Sequence, residues 1–203
     1  PTYSNGTLDL DGNFLLSANG TLSAPRGNLT FSASDFDDNS TNGFIGNGGT
    51  LVFDGSGNQD FRPNGGNNYA NIRSGAHASN IRWRETATCT GITIDTNALL
   101  TPKGDNFTIN CTGNIVNNGI WKYSDNSSNG ITVAGASAIS PAVCSGTEWN
   151  WNSESTASIC LLKDLDFQFN INTGNATGTG AITLRLTGDC EFDAVTVSPN
   201  DTL

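Results

Sequence analysis

The residues with the widest chemical reach in this chain are few and scattered. A single histidine, His77, lies in a Gly/Ala/Ser stretch with Ser74 and Ser79 on either side. A nucleophile–base pair needs an oriented imidazole, and a lone His in a polar loop reads as a solvated side chain. Asp164 and Asp166 stand two residues apart, so on a strand they share one face. Paired carboxylates can serve glycoside hydrolysis, yet Leu162 to Phe167 reads equally as a strand with its polar side to water. The chain is therefore expected to be non-catalytic.

Binding chemistry is richer in candidates. Asp9 and Asp11, and separately Asp35 and Asp37, cluster oxygens of the kind that calcium takes. Neither run completes a known calcium loop, and Asp is also an ordinary turn residue, so no metal or other cofactor is expected. Glycosylation acceptors of the form Asn-x-Ser/Thr occur at Asn5, Asn19, Asn28, Asn39, Asn106, Asn110, Asn126, Asn175 and Asn200. Trp149 and Trp151 alternate with Asn150 and Asn152, so on a strand both rings face one way. An exposed pair of that kind would stack on a sugar, whereas a buried pair would be core packing.

Charge narrows the partners. The formal net charge is −10, with no basic stripe to neutralise phosphates. Nucleic acid is thus not an expected partner. No apolar run approaches the roughly 18 residues of a helical membrane span, so membrane insertion is not expected either. There is no Met, even at position 1, which reads as a processed product or a piece of a longer chain.

The elements that must position these residues are short strands. Thr7-Leu8-Asp9-Leu10, Asn28-Leu29-Thr30-Phe31, Thr50-Leu51-Val52-Phe53, Phe107-Thr108-Ile109 and Ile182-Thr183-Leu184 alternate apolar with polar, the period of half-buried strands. Asn-Gly, Asp-Gly, Gly-Gly and Ser-Gly steps between them are turns. No 11-residue stretch carries a clean helical stripe. The chain also repeats itself: Ile92 to Leu100 is echoed by Val195 to Leu203, and the interrupted second copy resumes in Ser4 to Leu16. Such internal repetition points to an array or solenoid. The expectation is one continuous all-β parallel β-solenoid over 1–203, with two imperfect repeats of roughly 100 residues at about 1–95 and 96–203. The alternative is two Ig-like β-sandwich domains.

The strand–turn order around Thr7 to Phe14, Gly48 to Gln59 and Asn106 to Tyr123 resembles the β-helical repeat stalks of large secreted adhesins and of virion or cell-surface fibre proteins. That resemblance implies a structural or adhesive segment without an active site, located outside the cell or on a cell or virion surface. Its partners would be copies of itself, the rest of a longer fibre, or cell-surface glycans. A carbohydrate-binding or depolymerising β-helix is the alternative. Phe61 to Ser79 and Gly135 to Ser145 depart from the pattern and read as side insertions.

Within a solenoid the cysteines acquire a geometry. Cys89 and Cys111 are 22 residues apart, close to one coil of a β-helix, which would stack them within disulfide reach. Cys144 and Cys160 form the second candidate pair, leaving Cys190 unpaired or intermolecular. The competing reading makes all five small buried hydrophobes. The open ends of a solenoid also carry unpaired backbone groups, so the repeat is expected to continue past both termini, covalently or through a neighbouring subunit.

Overall fold

The computed structural model describes residues 5–32, 35–75, 77, 80–104, 107–121, 131–137, 139, 141–146, 149–150, 158–172, 182–186, 188–196 and 203. Among them every strand pairing is parallel. Ig-like sandwiches are antiparallel, so that alternative is overturned and the fold is a β-solenoid.

The chain winds around three sides. The first coil comprises β1 (Leu8–Leu10), β2 (Phe14–Leu16) and β3 (Leu22–Ser23). The second has β4 (Asn28–Phe31), β5 (Asp35–Asp38) and β6 (Phe44–Ile45). In the third, β7 (Thr50–Phe53) and β8 (Asn58–Arg62) are followed by a one-residue bridge at Asn68, which links Ile45 below to Thr88 above. The fourth contains β9 (Asn71–Ser74), β10 (Asn80–Trp83) and β11 (Ala87–Cys89). The fifth contains β12 (Gly91–Ile94), β13 (Leu99–Pro102) and β14 (Thr108–Cys111). The sixth contains β15 (Ile115–Asn117), β16 (Ile120–Trp121) and β17 (Ile131–Ala134). Beyond it run β18 (Ala142–Gly146), β19 (Trp149–Asn150), β20 (Ser158–Lys163), β21 (Leu165–Asn172), β22 (Ile182–Leu186) and β23 (Cys190–Thr196). The eight residues of β21 pair with β18 at one end and β19 at the other, so one long strand replaces two short ones.

The unit that repeats in space is one coil. Leu8, Leu29, Leu51, Ile72, Ile92, Ile115, Cys144, Phe167 and Phe192 are successive register partners. Their numbers advance by 20 to 25 per step, except for 29 between Ile115 and Cys144. The partner of Ile92 four coils on is thus Phe192, and Val195 pairs instead with Ile171. The echo of Ile92 to Leu100 in the tail is shifted three positions from the ladder. It reflects the strand-and-turn vocabulary that the coils share.

Period two does the sorting. Along β4, Leu29 and Phe31 are buried while Asn28 and Thr30 are not; along β12, Ile92 and Ile94 are buried while Gly91 and Thr93 are less so. The inward columns form one continuous apolar cluster from Leu16 to Phe167. Corners need positive φ, and asparagine supplies it at Asn42, Asn47 and Asn97, as Gly48 does beside Asn47. The Asn47 side chain also ties its corner to the coil below, donating to Ser23 Oγ at 2.8 Å and to the Ala24 carbonyl at 2.7 Å.

The stretches read as insertions turn out differently. Phe61, Asn68 and β9 are ordinary parts of two successive coils, so Phe61 to Ser79 is not a side insertion; its irregular composition reflects the single bridge at Asn68. The segment between β17 and β18 is a longer corner, with Ile139 98% exposed.

Candidate functional site

Three constellations stand out from the coil pattern, and none was fully visible in the sequence. The first is a buried carboxylate. On β5, alternation sends Phe36 and Asp38 inward and leaves Asp35 and Asp37 half-buried on the outer face. Asp35 and Asp37, the two carboxylates considered for calcium, therefore share the outer face, and Asp38 alone turns inward. Asp38 is met by four donors. Tyr69 Oη donates to its Oδ2 at 2.5 Å and Asn67 Nδ2 to the same oxygen at 2.7 Å. Ser40 donates to Oδ1 through its hydroxyl at 2.6 Å and its backbone N–H at 2.9 Å. A buried carboxylate is tolerated when its lone pairs are filled in this way. Burial, and then the bond to Asp38, push the Tyr69 hydroxyl well above its ordinary pKa, so it remains a donor. The network fills the corner where the third coil has only the Asn68 bridge.

The second constellation is a charged ladder outside the second face. Register places Asp35, Asp60, Arg82 and Thr101 in one row, with Asp37 beside Arg62. Asp60 is 4% exposed because guanidinium groups cover it. Arg62 lies 2.5 Å from it, Arg82 2.5 Å and Arg84 3.1 Å, while Arg62 also reaches Asp35 at 3.7 Å. Carboxylates and guanidinium groups of three successive coils thereby neutralise one another along the axis. A polar row continues beside it, with Asn80 donating to Asn58 at 2.8 Å and Thr101 to Asn80 at 2.8 Å.

The third is a set of thiols. Cys89 and Cys111 are direct register partners on β11 and β14, one coil apart, as their 22-residue spacing predicts. Both are buried free thiols, and Cys144 and Cys190 are free as well. The interaction between the two neighbouring thiols raises the pKa of Cys89 and lowers that of Cys111, and burial adds to the rise at Cys89. Burial pushes the Cys144 and Cys190 thiols up. Cys144 and Cys160 are not register neighbours. Cys144 pairs with Ile115 and Phe167 on one side of the solenoid, Cys160 with Ile131 and Leu184 on another. Their 16-residue spacing is shorter than a coil, so it cannot stack them. Cys190 opens β23 beside Leu165.

The remaining candidates separate. His77 is exposed in a turn, whereas Ser74 is buried and donates its hydroxyl to the Leu99 carbonyl at 3.2 Å. Ser79 lies outside the described residues. Asp164 and Asp166 do not share a strand face: Asp164 is a buried corner residue with φ of 55°, and the strand begins after it. Asp9 and Asp11 are exposed. Among the described residues no group of three or more His, Cys, Asp or Glu side chains is placed to hold a metal ion. Asn5, Asn19, Asn28 and Asn39 are exposed and Asn110 is half-buried; Asn106, Asn126, Asn175 and Asn200 lie outside the described residues. Trp151 and the side chain of Trp149 also lie outside them. Trp83 and Trp121 are fully buried and belong to the core.

An open rung completes the picture. β1, β2 and β3 each pair on one side only among the described residues. Beneath their free edges Leu10, Phe14 and Leu22 are only partly buried, and Leu8 is 43% exposed. Comparison of the chain with protein-family models, with curated proteins and with solved structures finds no match.

Proposed function

We propose that this chain is a non-catalytic structural and adhesive segment of a surface fibre, on a cell or a virion, in which stacked coils transmit load along the axis. The observation that carries the reading is the open rung formed by β1, β2 and β3. Three strand edges, unpaired among the described residues and set over a partly buried apolar floor, accept another rung in the same way that β4, β5 and β6 accept the first. The occupant would be further coils of the same fibre or a second copy of the chain. Support also comes from the side faces, where charges pair among themselves and the apolar columns run lengthwise. Exposed outward positions such as Asn5, Asn19, Asn28 and Asn39 would carry glycans if the source glycosylates secreted proteins.

Immunogold electron microscopy of the producing cells or particles tests the proposal. Label along thin projections from the surface is the expected result. Label confined to the cell interior would overturn it.

A further inference from the structure

We infer that Cys89 and Cys111 form a reversible cross-coil staple, closing to a disulfide when the chain meets a low-molecular-weight disulfide. In-register neighbours on adjacent parallel strands hold their Cα atoms about 4.8 Å apart, inside the range that a disulfide spans. Both side chains are fully buried in the same interior cluster. The other cysteines lack this relation: Cys144 and Cys190 face Ile115, Phe167 and Leu165 in register.

The two thiols are unequal, which sets the order of events. Cys111 is the more acidic, and the thiolate is the attacking species. It also lies beneath the turn Thr112 to Asn114, with its Sγ 3.5 Å from the Gly113 carbonyl oxygen. Thr112 and Asn114 are exposed, so opening that turn admits a small oxidant. The Cys111 thiolate attacks one sulfur of the external disulfide and expels the other as a thiolate. Cys89 then attacks the Cys111 sulfur of the mixed disulfide and expels the second. One S–S bond breaks and one forms; the two cysteine protons pass to the departing thiolates, and the external disulfide is reduced to two thiols.

The experiment incubates the chain with glutathione disulfide or with dithiothreitol, blocks free thiols by alkylation, and maps peptides by mass spectrometry without reduction. A Cys89–Cys111 linked peptide is expected, without a retained glutathione adduct. Closing a 22-residue loop should raise the thermal midpoint by roughly 6–10 °C, and dithiothreitol should reverse the rise. A Cys111→Ser chain should lose both the link and the redox-dependent rise. Because the mapping is done on the unaltered chain, failure of the variant to fold leaves that reading intact. Linkage to Cys144, Cys160 or Cys190, a glutathione adduct that stays on Cys111, or two thiols alkylated as readily after oxidant as before it would each overturn the proposal.

Discussion

The second and third coils and the two that follow fill the same three-sided interior with different side chains. In the second and third the filling is aromatic. Phe36 sits at the hub, with ring centroids of Phe14, Phe31, Phe44, Phe53, Phe61 and Tyr69 at 4.9 to 6.4 Å. In the fourth and fifth, Ile72, Ile81, Ile92, Ile94, Leu100 and Ile109 take over, with Cys89 and Cys111 at one corner and Trp83 closing the aromatic run. Aromatic rings prefer offset or edge-on contacts, and here they meet both ways, edge-on as Phe31 and Phe36 do and stacked as the register partners Phe31 and Phe53 do. Within this aromatic stretch the third coil has a single bridge at Asn68 where the others have a third strand, and a polar cluster around Asp38 fills that corner. Branched aliphatic side chains stack directly on their own kind, so the fourth and fifth coils keep all three strands. Interior composition thus separates these two pairs of coils.

That contrast yields predictions of decreasing size. Phe36→Ala removes the hub from six aromatic neighbours and should cost about 3–5 kcal/mol, read from urea unfolding. A loss under about 1 kcal/mol would mean that the aromatic coils are not a unit. Next comes Tyr69→Phe, which leaves Asp38 one donor short and should cost about 1.5–3 kcal/mol. The same variant carries a pH signature. The folded state holds the Tyr69 pKa above its ordinary value of about 10, so the stabilisation is fully present below that pH and is lost as pH rises beyond it. The native chain should weaken in alkali more steeply than Tyr69→Phe; parallel slopes in alkaline melts would count against the network.

In the aliphatic coils, Ile92→Val shortens one member of a column by a methyl group and should cost about 0.5–1.5 kcal/mol by the same unfolding measurement. Arg73→Ala breaks the pair with Asp95 at 2.8 Å, but the arginine side chain is 47% exposed. Solvent screens such a pair, and the change should be about 0.5 kcal/mol or less and fall further with added salt. A larger effect would give the surface pairs a share in rigidity that the interior contrast does not assign them.

The outline of the fold was legible because period two and the corner residues are local signals. Leu29 and Phe31, Ile92 and Ile94, and the corners at Asn47-Gly48 and Asn97 can each be read from a few neighbouring residues. The Cys89–Cys111 contact was legible for a related reason, since one coil's length converts a spacing of 22 directly into a neighbour. The site network was not. In the sequence Asp38 is one more acidic residue after Asp35 and Asp37, and only alternation along the strand turns it inward alone. Tyr69 carried no signal at all, because its partner lies 31 positions earlier and a whole coil away. Asp164 was read as a strand residue; the corner that makes it otherwise is set by a left-handed backbone at a residue other than glycine or asparagine.

By itself the sequence determined an all-β chain of short alternating strands with asparagine and glycine at the corners, because those preferences act within a few residues. Only the tertiary structure decided the register. Coil lengths of 20 to 25 residues, with one step of 29, do not lock to the apparent repeat of about 100. Which residues meet across coils follows from the sum of every intervening corner, and that sum is settled by packing the interior columns together. For the same reason the Asp38–Tyr69 corner and the shielding of Asp60 by three arginines exist only once the coils are stacked.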